Sequence, residues 1–212
     1  MKLDKRMTAL LSEIPKNINL ADIGADHGIV SINYALNNPS NFVVGSDISK
    51  KSIEKAAKTA KKLNLTNYYT TVGNGLAPIK NFDIDVILIS GMGGEEIIKI
   101  IDSNKKYPFY VLSPQKNSDK VRLYLKNNNL KAIKDYKVLS DSKFYDIIVC
   151  TQGVYNPTEF EVQFGSGKGE DFKLFSTHTT EYLTKLLQTI KKEEDRFAVI
   201  QKLNLLSVAN NN

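Results

Sequence analysis

Between Leu20 and Val30 the chain reads LADIGADHGIV, an apolar run that ends in a glycine turn holding a carboxylate and an imidazole. A dinucleotide-binding turn, Gly-x-Gly-x-x-Gly, needs its second glycine so that the backbone can approach a pyrophosphate. Here Gly24 matches the first position, but Asp26 and Ile29 occupy the other two. A carboxylate facing a diphosphate is repelled by about 4 kcal/mol at ~4 Å and an effective dielectric near ~20. The sign reverses for a cationic ligand. S-adenosylmethionine carries a sulfonium and an ammonium and no phosphate, so Asp26, with Asp22 close by, would attract it.

Further residues of the same kind recur at regular intervals. Asp47 ends a second apolar run roughly 20 residues after the first glycine, where an acid accepts from ribose hydroxyls and would oppose the extra phosphate of NADP. Asn74, in VGNGL, offers an acceptor and a donor to an adenine edge. SGMGG, Ser90 to Gly94, lets the backbone approach the transferred methyl group or its acceptor. Each piece has a plainer reading: a tight turn with a capping acid, a helix cap at Asp47, a turn at Asn74-Gly75, a helix-start residue at His27. Together, at successive strand ends, they point to a methyltransferase.

The elements that must position these residues alternate from the start. NINLADI, NFVVGSDI, NYYTTV, DVILIS and PFYVLSP read as strands, and helical stretches follow several of them. Ser49 to Leu63 has Ile53, Ala56, Ala57, Ala60 and Leu63 on one face and a solvated stripe of Lys51, Lys55, Lys58 and Lys62 on the other. SDKVRLYLKNNN reads as a helix with Ser118 as N-cap. KAIKDYKVLSDSKFYDIIVCT then gives a hairpin. Five β-α units and a hairpin predict an α/β fold: a doubly wound, Rossmann-like sheet, mostly parallel with one antiparallel strand. The loops after strands one to four then share one carboxyl edge. Residues 1–154 form this domain, 155–170 a connector of little periodicity, and 171–212 a small C-terminal helical appendage, read as an antiparallel pair turning near KKEEDR.

Composition sets the frame. The 212 residues are 42% hydrophobic and 25% charged, as in ordinary globular proteins. No apolar run approaches a membrane span, and the N-terminus is too charged for a secretory signal. One cysteine, Cys150, fits a reducing cytoplasm. Two histidines and one cysteine do not make a structural zinc site, so no metal is expected. A net charge of +6 invites a polyanion, although the richness in Lys, Asn and Ile is also what an AT-biased genome produces.

LADIGADHG, GSDIS, VGNGL, ISGMGGEEIIKII and LSPQKN together resemble, in order, the bacterial tRNA (adenine-22)-N1-methyltransferases of the TrmK type, over about residues 3–150. LDKRMTALLSEIP resembles that family's N-terminal helix, here 3–14. Three departures stand out: Asn74 replaces a common acid, SPQKN differs by position from the more usual QPN, and the C-terminal segment is short. The resemblance implies methyl transfer from S-adenosylmethionine to N1 of an unpaired adenine in tRNA; a monomer is expected. Cofactor contacts are then expected at Gly24, Asp26, His27, Gly28, Asp47, Ile48, Asn74, Gly75, Leu76, Gly91 and Met92, with Asp26, His27 and Met92 nearest the chemistry. Gly93, Pro114, Gln115, Lys116 and Asn117 are expected to face the acceptor. Lys2, Lys5, Arg6, Lys116, Lys120 and Arg122 are the candidates for tRNA phosphates. A methyltransferase of another acceptor (rRNA, protein or a small molecule) and a non-catalytic RNA-binding module remain open alternatives.

Overall fold

The computed structural model describes residues 2–102 and 106–210, the last two by backbone alone. Met1, 103–105 and the final two residues of the expected C-terminal region, 211–212, lie outside the described residues.

Seven strands form one sheet: Leu20–Ile23 (β1), Val43–Asp47 (β2), Tyr68–Val72 (β3), Val86–Ser90 (β4), Phe109–Ser113 (β5), Leu130–Ser140 (β6) and Lys143–Gln152 (β7). Their order is β3-β2-β1-β4-β5-β7-β6. β7 alone runs antiparallel, pairing with β5 on one side and with its hairpin partner β6 on the other. The predicted sheet is therefore the one observed. Every residue of β1 is buried because helices cover both faces, which explains its unbroken apolar run.

Lys5–Glu13 (α1), Ile29–Asn37 (α2) and Lys50–Lys62 (α3) contribute to the core on one face. Gly94–Ile101 (α4) and Ser118–Asn127 (α5) contribute to the core on the other. The third β-α unit departs from expectation, since only a 3-10 turn, Ala77–Ile79, follows β3. Its Pro78 suits the start of a short turn.

The 155–170 stretch also contains more regular structure than its weak periodicity implied. Glu159–Phe164 (α6) is a helix closed by a capping box, with Thr158 and Glu161 each satisfying the other's backbone N–H. Glu170–Leu187 (α7) and Glu193–Asn210 (α8) follow. Phe164, Phe172, Leu183, Val199 and Leu206 give these tail helices a buried cluster of their own. Among the described residues no helix is long and apolar enough to cross a membrane.

Candidate active site

The order reversal between β1 and β4 opens a crevice at the carboxyl ends of the strands, the position where ligands bind in such sheets. A cavity of about 1000 Å³ lies there, lined by the turns after β1, β2, β3 and β4, by Arg6 of α1 and by Gln115. Gly24, Asp26, His27, Asp47, Ile48, Asn74, Gly75, Leu76, Gly91 and Met92 all line it. Gly28 does not. It stands behind the turn at φ +64°, where a Cβ would lie 2.4 Å from the Tyr68 hydroxyl, so its role is packing.

The first turn is held from β2. Gly24 and Ala25 donate their N–H groups to the Ser46 carbonyl at 2.8 and 3.0 Å. Asp26 has φ +47°, a left-handed conformation that costs energy in a residue with a Cβ. Its N–H donates to Asp47 Oδ2 at 3.0 Å, while Asp47 Oδ1 accepts from the Ser49 N–H at 2.8 Å. Asp47 thus braces two turns with one carboxylate and still faces the cavity. Gly24 sits at φ +72°, a left-handed conformation that favours glycine, and the Met92 methyl group packs close, 2.4 Å from where a Cβ would stand.

Asp22 lies beneath this turn, buried, and accepts from the Ser31 hydroxyl at 2.6 Å. Burial raises its carboxyl to about 6; the Ser31 bond acts the other way and the charge of Asp47 adds to the rise. Asp26 and His27 are the exposed part of the site, with side chains 59% and 50% accessible and 3.5 Å apart. Lys55 Nζ lies 3.2 Å from His27 Nε2, so one lysine of the α3 stripe reaches the cavity mouth rather than only solvent.

The opposite wall is built from two loops laced together. Gln115 N–H donates to the Met92 carbonyl at 3.0 Å, and Gly94 N–H to the Lys116 carbonyl at 2.9 Å. The loops approach so closely that a Cβ on Gly94 would lie 2.3 Å from the Asn117 carbonyl oxygen and 3.0 Å from Val121. A backbone atom cannot swing aside, so Gly94→Ala should cost roughly 1–3 kcal/mol, the usual range for overpacking. Thermal denaturation checks this, with a midpoint several degrees below wild type expected and an unchanged midpoint contradicting it.

The expected acceptor and phosphate contacts divide. Gln115 and Arg6 line the cavity. Arg6 donates to Ser113 Oγ at 3.3 Å and lies 4.7 Å above the Tyr145 ring; burial lowers its pKa. Gly93 and Lys116 pack together at the rim, where a Cβ on Gly93 would lie 3.1 Å from Lys116 Cε. Pro114 is buried, and Asn117, at φ +57°, caps α5 in the place expected of Ser118. Lys2 is exposed. Lys5 is exposed and paired with Asp171 at 3.4 Å, and Lys120 is exposed and paired with Glu95.

Arg122 requires correction. It is fully buried, bonded to Asp135 at 2.6 and 2.8 Å and to Asp146 at 2.6 Å, and so cannot reach a phosphate. Helical phase explains the difference, since Val121, Arg122 and Leu125 form the inward face of α5. Cavity residues missed from the sequence include Glu96, Lys99 and Tyr107. The first two follow GMGG within one helix, and that adjacency was the available signal. Among the described residues no cluster of His, Cys, Asp and Glu could hold a metal ion.

Comparison with known proteins agrees with this architecture. A tRNA (adenine(22)-N(1))-methyltransferase of Bacillus subtilis is 27% identical over 158 residues, 72% of this chain and 66% of the relative. A putative tRNA methyltransferase of Mycoplasma pneumoniae is 34% identical over 108 residues, half of this chain and 51% of that protein. The matches thus span between half and two thirds of these relatives' lengths. M. capricolum TrmK, solved with S-adenosyl-homocysteine, superposes with a TM-score of 0.87 at 24% identity, covering 98% of this chain and 97% of that one. The methyltransferase domain model matches residues 3–148, from α1 into β7 and around the whole cavity. The chain belongs to the methyltransferase domain family.

Proposed function

We propose that the protein transfers a methyl group from S-adenosylmethionine to N1 of an adenine in tRNA, adenine 22 by its resemblance, acting as a cytoplasmic monomer. The observation that carries this reading is the placement of Asp22 and Asp26 at the turn where a pyrophosphate would require a bare backbone, with Asp47 at the end of β2 in place for ribose hydroxyls. The names of the relatives support tRNA as the acceptor.

The residues present fit the donor. Gly24 keeps the first turn bare at φ +72°, with the Met92 methyl group packed against it on the cavity wall. Asp47 supplies acceptors for ribose hydroxyls, and Asn74 and Leu76 line the stretch suited to a base. Bound there, S-adenosylmethionine supplies an electrophilic methyl group. Adenine N1 has a free lone pair at neutral pH, so the chain need not provide a strong base. Its task is alignment, worth several kcal/mol when reacting groups are held in line. Gly91, Met92 and Gln115 form the wall suited to this, and acceptors near the adenine amino group would favour the charge that develops on the base. N1 lies on the Watson–Crick edge, so the base must be unpaired to enter.

Incubating the protein with unmodified tRNA and S-adenosylmethionine, then digesting to nucleosides, tests the reaction. The expected product is 1-methyladenosine; label in another nucleoside, or none, would refute the assignment.

Donor affinity should depend on pH through Asp22. A cationic ligand favours the carboxylate, so affinity is full above the Asp22 value of about 6 and declines as pH falls through it. The limiting slope for one proton is about tenfold per pH unit. Ser31, Tyr68 and Asp47 surround this carboxyl and remain unchanged in Asp22→Asn, which should flatten the dependence. Titration calorimetry across this range would contradict the assignment if wild type and variant kept parallel profiles.

A further inference from the structure

The acid-base cluster that buries Arg122 also reaches the cavity wall. Tyr145 and Asp146 are neighbours on β7, and their side chains leave on opposite faces of the sheet. Tyr145 faces α1 and stacks under Arg6. Asp146 faces α5 and accepts three short hydrogen bonds, each of 2.6 Å: from Ser118 Oγ to Oδ2, and from Arg122 Nη2 and Lys137 Nζ to Oδ1. Ser118 is the first residue of α5 and directly follows the 114–117 segment. That segment is laced to the Met92–Gly94 loop by two backbone hydrogen bonds. A continuous path thus runs from β7 through Ser118 to the wall formed by Met92 and Gln115.

The tail seals the cluster. Lys137 is buried beneath α7, its ammonium 4.3 Å above the Phe175 ring, and Asp171 of α7 accepts from the Leu139 N–H at 3.0 Å. Arg122 Nη1 also points to the Val162 carbonyl of α6 at 3.4 Å. With water excluded, a carboxylate between two cations has one arrangement that satisfies all its partners, and its remaining oxygen is committed to Ser118.

We propose that Asp146 is a positioning residue for methyl transfer, which holds the 114–117 segment against the Met92–Gly94 loop through the hydroxyl of Ser118. The inference rests on the proposed function for the identity of the acceptor, but not for the geometry. A hydroxyl-dependent strut differs from general stability because its loss should affect one wall of the cavity and leave the donor side, braced by Asp47, as it was.

Asp146→Asn would unbalance Lys137 and Arg122 and risk the fold, so Ser118 variants carry the test in the full-length protein. In Ser118→Ala, kcat with tRNA should fall about tenfold, a typical cost of small misplacement. Donor Kd should stay within about twofold, and Ser118→Thr should restore most of the turnover. Amide exchange at Gln115 and Gly94, followed without any acceptor, should accelerate in Ser118→Ala and recover in Ser118→Thr. Wild-type exchange, turnover within about twofold of wild type, or an equal loss of donor affinity would each overturn the proposal. Because exchange requires no tRNA, a protein inactive on adenine would refute the function while leaving the strut decided.

Discussion

Asp47→Ala should weaken S-adenosylmethionine binding by about 100-fold, or roughly 3 kcal/mol, while the protein remains folded. The magnitude follows from what the carboxylate does. It accepts from Asp26 N–H at 3.0 Å and Ser49 N–H at 2.8 Å, and it faces the cavity at the end of β2. Hydrogen bonds to a charged group contribute about 1.5–3 kcal/mol each. The variant loses those available to ribose hydroxyls and releases Asp26 from a left-handed conformation that it would not otherwise favour. Asp47→Asn, which retains an acceptor but not the charge, should fall between. Calorimetric titration decides this, and affinity within about threefold of wild type in Asp47→Ala would remove Asp47 from the site.

Arg122→Met should destabilise the fold by roughly 3–5 kcal/mol, the range for breaking a buried ion pair by removing one partner. Asp135 and Asp146 would remain inside with Lys137 as the nearby cation. Burial alone would raise the Asp146 carboxyl, but Lys137, Arg122 and the Ser118 bond outweigh it and hold it down to about 2. Removal of Arg122 leaves Lys137 to hold Asp146 but strips Asp135, whose carboxyl burial already raises, of its two hydrogen bonds to a cation. For a chain of this size the melting midpoint should fall on the order of 10 °C. A phosphate-binding arginine behaves differently: its loss would leave the midpoint unchanged and reduce the salt slope of tRNA binding by about one. That second pattern would reverse the structural assignment of Arg122.

The contrast between these two residues shows how far the sequence could be read. Asp47 was legible because it ends a strand at a set distance from a glycine turn, so chain topology alone brings it to the carboxyl edge. The same logic located Asp26, Asn74 and the Met92 loop. Arg122 was misread because the direction of a helical side chain depends on phase, and the Val121–Leu125 face of α5 could be oriented only once β6 and β7 were in place. Ser118 looked like an N-cap, but its hydroxyl is bonded to Asp146, twenty-eight residues away in sequence. The capping box at Thr158 and Glu161 was local and readable, yet it was obscured by the glycine-rich composition around it. Neither the Asp22–Ser31 bond nor the Arg6–Tyr145 stack follows from any local pattern, because each joins elements whose contact is settled only by packing.

Selection of a cationic donor by the carboxylates of the first turn is tested most directly by titrating the purified protein, side by side, with S-adenosylmethionine, NAD and NADP. Saturable binding of the methyl donor at one site, with neither dinucleotide detectable at the same concentrations, is the predicted result. Binding of either dinucleotide as tightly as the donor, or no binding of the donor at all, would contradict it.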